Sequence, residues 1–279
     1  MTTEADACRY IIDLIYERTR IRLHDGKEAL IVGRLGKRMR HHAFADLAQY
    51  CEYLQTSADE EEFTLVTDAL TTNHTNFMRE VDHFEFMVGQ ALPAVLVPGQ
   101  KRFHVWSSAS SSGEEAYTMG MFLSEHYPPA QGWDWRLTGP DISTQVLEKA
   151  RQGIYAEDRI QPVPGDWLRR YFQRGTGKWT GHYRVKREIA ERVAFRQVKL
   201  IEDYSHAQPF EVIFCRNVMI YFDRQTQEQL VRRLCRFLVP GGHLLIGHSE
   251  SLNGLNLPIR CVKPSVYQLA CSCAPHHPP

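Results

Sequence analysis

The stretch Phe103-His-Val-Trp-Ser-Ser-Ala-Ser-Ser-Ser-Gly-Glu-Glu-Ala-Tyr117 limits the fold more than any other part of the chain. Phe103 to Trp106 is a short apolar run that suits a buried strand. Ser107 to Gly113 is a loop of small residues. Beyond it Ala116, Met119, Gly120 and Leu123 recur at helical spacing. A strand, a tight loop of small residues and a helix are what an α/β fold uses to seat a nucleotide-like ligand.

The loop also indicates the sign of that ligand. A phosphate cradle usually carries a lysine, and none is present here. Instead Glu114 and Glu115 open the helix, where its dipole favours them. They would repel a phosphate and favour a cation of nucleoside size, and S-adenosylmethionine is such a ligand. The dipole alone also accounts for two acids in a first turn, so this stretch leaves the point open.

The chain of 279 residues allows one large or two modest domains, and 43% hydrophobic content is enough for a real core. Its formal net charge of zero argues against nucleic-acid binding through bulk charge. No apolar run reaches the ~18 residues of a membrane span. The first twenty residues lack a signal-peptide core, so a cytoplasmic protein with reduced cysteines is expected. Cys215 and Cys235 read as buried fillers.

In chain order, residues 6–70 read as all-helical. Ile11, Leu14, Ile15 and Arg18 share one face, Leu30, Ile31, Arg34 and Leu35 another, and further helices are expected near 44–54 and 60–70. Arg34, Lys37, Arg38 and His41 fall on one side of a helix that also carries Arg40. Such a face is by default solvated surface. Residues 71–99 read as a linker with a helix near 82–92, closed by Pro93 and Pro98-Gly99. A second strand at 135–138 runs on to Asp141, placed where an acid can accept from both ribose hydroxyls. Ser143 is the expected cap of the next helix and Gly153 its stop. Trp167 to Phe172 reads as a short helix. His182–Lys186 and Arg192–Val198 read as strands of an antiparallel insertion at about 166–196. The alternation resumes with the strand Phe210–Cys215, a helix near 225–237, a turn at Pro240-Gly-Gly, and strands at 243–247 and 265–269.

Several combinations fail on geometry. His248-Ser249-Glu250 holds triad residue types, but consecutive side chains point apart. His83-Phe-Glu85 lacks the P-C-x-x-C that a zinc deaminase needs. Cys271, Cys273, His276 and His277 lie in a Pro-rich end that reads as a disordered tail.

Five groups of residues carry a resemblance to a known family. They are Thr71-Thr-Asn73-His-Thr75 with Phe77-Met-Arg79-Glu80; Ser112-Gly-Glu-Glu115; Asp141-Ile with Val146 to Tyr155; Ile213 to Asp223; and Gly247-His-Ser-Glu250. Together, over about Tyr10 to Leu269, the chain resembles the CheR family of bacterial chemotaxis receptor glutamate methyltransferases. The motif around Arg216-Asn217 is the most specific of them.

The resemblance implies an α/β, Rossmann-like S-adenosylmethionine methyltransferase domain at 100–279, with a small antiparallel β insertion and a tail at 271–279. An all-helical N-terminal domain at 1–70 precedes it, joined by the linker. It implies methyl transfer from S-adenosyl-L-methionine to receptor glutamates, leaving S-adenosyl-L-homocysteine, with no metal. It places Asn73, Thr75, Arg79, Glu115, Asp141, Leu200, Asn217 and Val218 around the cofactor, with Arg79 and Tyr221 nearest the chemistry. It casts Arg34, Lys37, Arg38 and Arg40 as a docking face for the chemoreceptor cytoplasmic helical bundle. Arg174, Gly175, Thr176, Gly177 and Arg184 would tether a receptor C-terminal pentapeptide. A monomer is expected, recruited to membrane-associated receptor arrays without membrane insertion, and with no nucleic-acid partner. The chain departs from the family pattern at Lys199, Met78 and Ala116. Two rival functions stay open: a methyltransferase of RNA or a small molecule, and a non-catalytic module that senses S-adenosylmethionine.

Overall fold

The structure, a computed structural model, describes residues 3–23, 26, 28–202, 204–205 and 208–270. The proposed tail at 271–279 lies outside the described residues.

Four helices come first: α1 (Glu4–Thr19), α2 (Glu28–His41), α3 (Leu47–Thr56) and α4 (Glu60–Leu70). Thr3, Asp46 and Asp59 cap α1, α3 and α4 with side-chain oxygens on backbone N–H groups. The acidic run at 59–62 is therefore a cap and a first turn, where the helix dipole favours it. Ile11, Ile15, Ile31, Leu35, Tyr50, Leu54 and Val66 fill the core between these helices.

The connector is one continuous rod, α5 (Val81–Phe86), a π turn (Met87–Ala91) and α6 (Leu92–Val95). The helix therefore runs past Pro93. That residue lies just past the π segment, where the regular i→i−4 ladder is already interrupted.

The rest is an α/β unit in the order β1 (Arg102–Ser107), α7 (Glu114–His126), β2 (Asp134–Asp141), α8 (Thr144–Gln152), β3 (Ile154–Ala156), α9 (Glu157–Ile160), α10 (Gly165–Tyr171), β4 (Phe172–Arg174), β5 (His182–Val185), α11 (Arg187–Ala190), β6 (Val193–Gln197), β7 (Phe210–Cys215), α12 (Arg224–Cys235), β8 (Leu238–Ile246), β9 (Ile259–Lys263) and β10 (Val266–Leu269). Seven strands form one sheet in the order β6-β2-β1-β7-β8-β10-β9. The pairs from β6 to β8 are parallel, and β10 runs antiparallel to both β8 and β9. β7 is buried at every position, as a central strand covered on both faces must be. Trp106, Ile213 and Leu244 pack to one side and Val105, Phe214 and Leu245 to the other. Cys215 and Cys235 are buried and free, as their apolar surroundings suggest.

Three expectations are corrected. Residues 193–197 do not belong to the insertion; they pair in parallel with β2 as the edge of the main sheet. The small sheet is β3-β5-β4, so it recruits Ile154–Ala156 from ahead of the expected boundary. Pro240-Gly-Gly is not a turn but lies inside β8, at a register shift against β7.

The helical unit is clasped to the α/β unit at two points. Asp68 accepts from Thr144 N at 3.2 Å and Thr144 Oγ1 at 2.8 Å, so α4 caps α8. Tyr16 donates to Asp223 Oδ2 at 2.7 Å, and Arg22 N donates to Tyr221 O at 2.9 Å.

Within the helical unit the α2 face is largely spent. Arg38 is ion-paired with the buried carboxylate of Glu62, which also accepts from Tyr50 and lies 3.1 Å from His42. Arg34 donates to Leu70 O at 2.8 Å. Neither stands free as a docking charge, whereas Lys37 and Arg40 are exposed.

Burial pushes the Glu62 carboxyl up, but the hydrogen bonds from Arg38, Tyr50 and His42 and the charge of Arg38 outweigh it and hold it at about 2. Its folded pKa is thus below the unfolded value. Its contribution to stability is complete above about pH 4.5 and fades as pH falls towards 2. Glu62→Ala is expected to destabilise the protein by about 3 kcal/mol at pH 7. Urea titrations at pH 7 and pH 3 check this, and the difference from wild type should shrink at pH 3.

Candidate active site

The loop after β1 is drawn tight by its own backbone. Ser108 N donates to Phe214 O at 2.7 Å, Ser110 N to Pro140 O at 2.9 Å and Gly113 N to Ser110 O at 2.9 Å. Gly113 has φ +97°, and a Cβ there would lie 3.0 Å from Ala150 Cβ and from the Tyr155 hydroxyl. Only glycine combines that conformation with that approach. The turn brings α7 in with its first carboxylates at the C-terminal edge of the sheet, where α/β folds bind ligands.

The two glutamates part company. Glu114 turns away, buried against Arg159 and Ser112. Glu115 accepts from Ser107 Oγ at 2.7 Å and lies 3.4 Å from Arg216 Nη1. Burial holds its carboxyl above the ordinary carboxylate value, against the pull of Arg216 and the Ser107 hydrogen bond. Asp141 ends β2 and accepts from Ser111 N at 2.8 Å and Ser143 N at 3.0 Å. It is 7% exposed, and burial pushes its carboxyl up against the pull of these N–H donors. Each of its oxygens accepts one of these bonds, so lone pairs remain for a ligand hydroxyl.

Arg216, at the end of β7, is 1% exposed in its side chain. Its Nη2 lies 3.1 Å from Glu80 Oε2 and also donates to Arg79 O. Glu80 also lies 4.0 Å from Arg79 Nε and 3.4 Å from His83 Nδ1. The adjacent His83 is fully buried, and burial first, then the charge of Arg216, lowers it to about 4, so it is neutral. His248 meets Asp82 at 3.3 Å.

These groups open into a cleft of about 310 Å³. Asn73, Thr75, Arg79, Glu115, Asp141, Leu200, Asn217, Val218 and Tyr221 all line it. Asn73 is joined to the loop by Ser111 Oγ, which donates to its carbonyl at 2.8 Å. Arg79 Nη1 donates to His74 O at 3.3 Å, and its side chain is 36% exposed. Lys199 also reaches the lining, with its ammonium 2.8 Å from Glu202. One wall comes from the helical unit, through Thr19, Arg22, Leu23, Leu30 and Arg34. Arg34 is thus part of the cleft.

The five residues expected to hold a peptide lie elsewhere, on the small sheet. Arg174, Gly175, Thr176 and Arg184 line a groove of about 270 Å³ together with Trp179, which is 45% exposed. Gly177 forms the turn between them, at φ +57°. At Gly175 a Cβ would come within 2.2 Å of Trp179 O, so the loop closes only over glycine.

The family model described as "CheR methyltransferase, SAM binding domain" matches residues 73–268, and the one described as "CheR methyltransferase, all-alpha domain" matches 6–71. The chain belongs to the CheR methyltransferase family. A chemotaxis protein methyltransferase of Salmonella typhimurium is 40% identical over 263 residues, covering 94% of this chain and 89% of its own. One of Escherichia coli is 38% identical, covering 94% and 90%. The chemotaxis protein methyltransferase 2 of Pseudomonas aeruginosa is 37% identical, covering 92% and 90%.

As a CheR methyltransferase, the protein is an S-adenosylmethionine-dependent enzyme of chemotaxis. The cleft suits that cofactor: two carboxylates with spare lone pairs face a small-residue loop that leaves room for a nucleoside. Sequence reasoning passed over Arg216 and its partner Glu80, although each lies in a motif of the family. It also missed the wall supplied by α1 and α2, because nothing local marks a helix as the cover of a distant sheet edge.

Removing the Arg216 guanidinium would take the nearest counter-charge from Glu80 and Glu115 and leave only the more exposed Arg79, 4.0 Å from Glu80. Arg216→Met is expected to cost about 3–5 kcal/mol of stability at pH 7, read by urea denaturation. A double variant that also carries Glu80→Gln should recover part of that loss.

Proposed function

We propose that this CheR enzyme converts glutamate side chains in the cytoplasmic helical bundle of chemoreceptors to methyl esters. The observation that carries this reading is the charge order of the cleft. Asp141 is buried and the Glu115 side chain is 13% exposed, whereas the Arg79 side chain is 36% exposed. Depth with negative charge suits a cationic cofactor; an arginine nearer solvent suits a carboxylate substrate. The names of the relatives, chemotaxis protein methyltransferases, support the same substrate class.

The bound cofactor supplies an electrophilic methyl group on a sulfonium. A glutamate side chain is already ionised at pH 7, so this chain need not provide a general base. It must orient a weak nucleophile and exclude water. Arg79 orients a carboxylate by charge-assisted hydrogen bonds, and Tyr221 holds one by its hydroxyl. Asp141 accepts from the ribose hydroxyls, and Glu115 meets the polar end of the cofactor. Asn73 and Thr75 close over it from the linker, with Leu200, Asn217 and Val218 at the sheet edge.

The helical unit 1–70 docks the receptor bundle through the exposed Lys37 and Arg40, with 71–99 as the linker to the catalytic unit. Arg174, Gly175, Thr176, Gly177 and Arg184 hold a receptor C-terminal pentapeptide against an edge of the small sheet. Such a tether raises effective concentration and leaves the chemistry unchanged. The enzyme works as a monomer in the cytoplasm, drawn to receptor arrays by these contacts. Among the described residues no helix is long and apolar enough to cross a membrane.

Labelled S-adenosylmethionine and a receptor cytoplasmic fragment provide the test. Base-labile label on receptor glutamates is the expected result. Label on RNA or a small molecule, or cofactor binding with no transfer, would contradict it. Asp141→Asn should weaken cofactor binding by about 1.5–3 kcal/mol in calorimetry, because a charged acceptor becomes a neutral amide. Reversing both Lys37 and Arg40 to glutamate should slow receptor methylation, more so at low salt, with cofactor affinity unchanged. Wild-type rates for that variant at every salt concentration would make the face ordinary surface.

A further inference from the structure

Gly247-His-Ser-Glu250 marks the family, yet none of its residues has a part in the mechanism above. Its last residue occupies an unusual place. Glu250 Oε2 accepts from Gly247 N at 2.7 Å and from Asn217 N at 2.9 Å. Oε1 accepts from Met219 N at 2.8 Å and from Ile220 N at 3.3 Å. Four backbone donors, three of them from the turn after β7, converge on one carboxylate. That turn carries Asn217, Val218 and Tyr221 from the sheet edge into the cleft.

Within the turn Tyr221 N donates to Val218 O at 3.2 Å and Phe222 N to Met219 O at 3.0 Å, and neither bond reaches its first residue, Asn217. Asn217 has φ +57°, in the left-handed region that side chains disfavour, though asparagine tolerates it best. Gly247 comes so close that a Cβ there would lie 2.4 Å from Asn217 Nδ2. The loop after β8 is therefore pressed against the turn after β7, and Glu250 is the polar link between them. Only an ionised carboxylate accepts from four donors at once. An amide offers one oxygen and turns two N–H donors on the others.

We propose that Glu250 is a positioning residue for methyl transfer: by collecting the N–H groups of Asn217, Met219 and Ile220 it fixes the turn that aims Tyr221 into the cleft. The inference rests on the reading that places Tyr221 beside the reacting carboxylate. It acts through the backbone, and Glu250 itself does not line the cleft.

The test compares E250Q and E250D with wild type in single-turnover transfer to the receptor fragment, at saturating cofactor and well below the melting midpoint. Glu250→Gln keeps the shape and loses the anion; Glu250→Asp keeps the anion and shortens the reach. Transfer by Glu250→Gln is expected to fall about 10–100-fold, the scale of a misplacement near 1 Å, with S-adenosylhomocysteine affinity changed at most about fivefold. Glu250→Asp should transfer faster than Glu250→Gln. A residue that merely fills space would give the opposite order, with the isosteric amide near wild type.

A Glu250→Gln rate within about threefold of wild type would overturn the inference, as would an Asp variant slower than the Gln variant, or a loss confined to cofactor affinity. If Glu250→Gln does not fold, Glu250→Asp decides alone by the same criterion. If neither folds, Glu250 is a structural residue and the inference is overturned. Wild-type enzyme that labels no receptor would instead defeat the substrate reading, so the two failures are distinct.

Discussion

The Arg216 guanidinium lies between Glu80 and Glu115, and the site is arranged around that contact. Three distant segments supply the three charges: the linker, the first turn of α7 and the end of β7. Two carboxylates on one side chain's two flanks repel each other, and a cation between them offsets that repulsion. The guanidinium is suited to this because it presents a fork of donors and keeps its charge when buried. Its Nη2 also reaches Arg79 O, so the linker backbone is held by the same group that holds the linker carboxylate. The cleft is therefore built before any ligand arrives, and little reorganisation is left for the binding step.

Around that contact the fold uses close backbone approach. Gly113 at the start of α7 and Gly247 after β8 stand where a Cβ would collide with a neighbouring side chain. Asn217 and Ser111, both at positive φ, are held by hydrogen bonds to carboxylates, Glu250 and Asp141. Strain in the two loops that face the ligand is thus offset by anions placed behind them. Asp68 extends the pattern to the helical unit, which it joins to the N-terminus of α8. The domain that forms one wall of the cleft is fastened by the same kind of interaction.

The legible parts of the chain were those with local causes. The β1 loop, the cap Ser143, the stop Gly153 and the fully apolar β7 each carry their reason within a few residues. What escaped depended on distant neighbours. β6 has an apolar–polar pattern that suits an edge strand of either sheet, and only its pairing with β2 decides. β9 is exposed at most of its length and leaves no core signal. Helical spacing puts Arg34 and Arg38 on one face, but it cannot say that α4 lies against that face with Glu62. Arg216 stood inside the most specific motif, yet its partner Glu80 is 136 positions away. In the candidate site, the residues that the family motifs single out line one cleft; the charge that links its walls became visible only in three dimensions.

A crystal structure of the enzyme with S-adenosylhomocysteine would test the central claim most directly, namely that Arg216 preorganises the cleft through Glu80 and Glu115. The account predicts the ribose hydroxyls within hydrogen-bonding distance of Asp141. It also predicts Arg216 still between both glutamates and the Asn217–Tyr221 turn unmoved. An Arg216 side chain released from either carboxylate on binding, or a nucleoside seated away from Asp141, would contradict it.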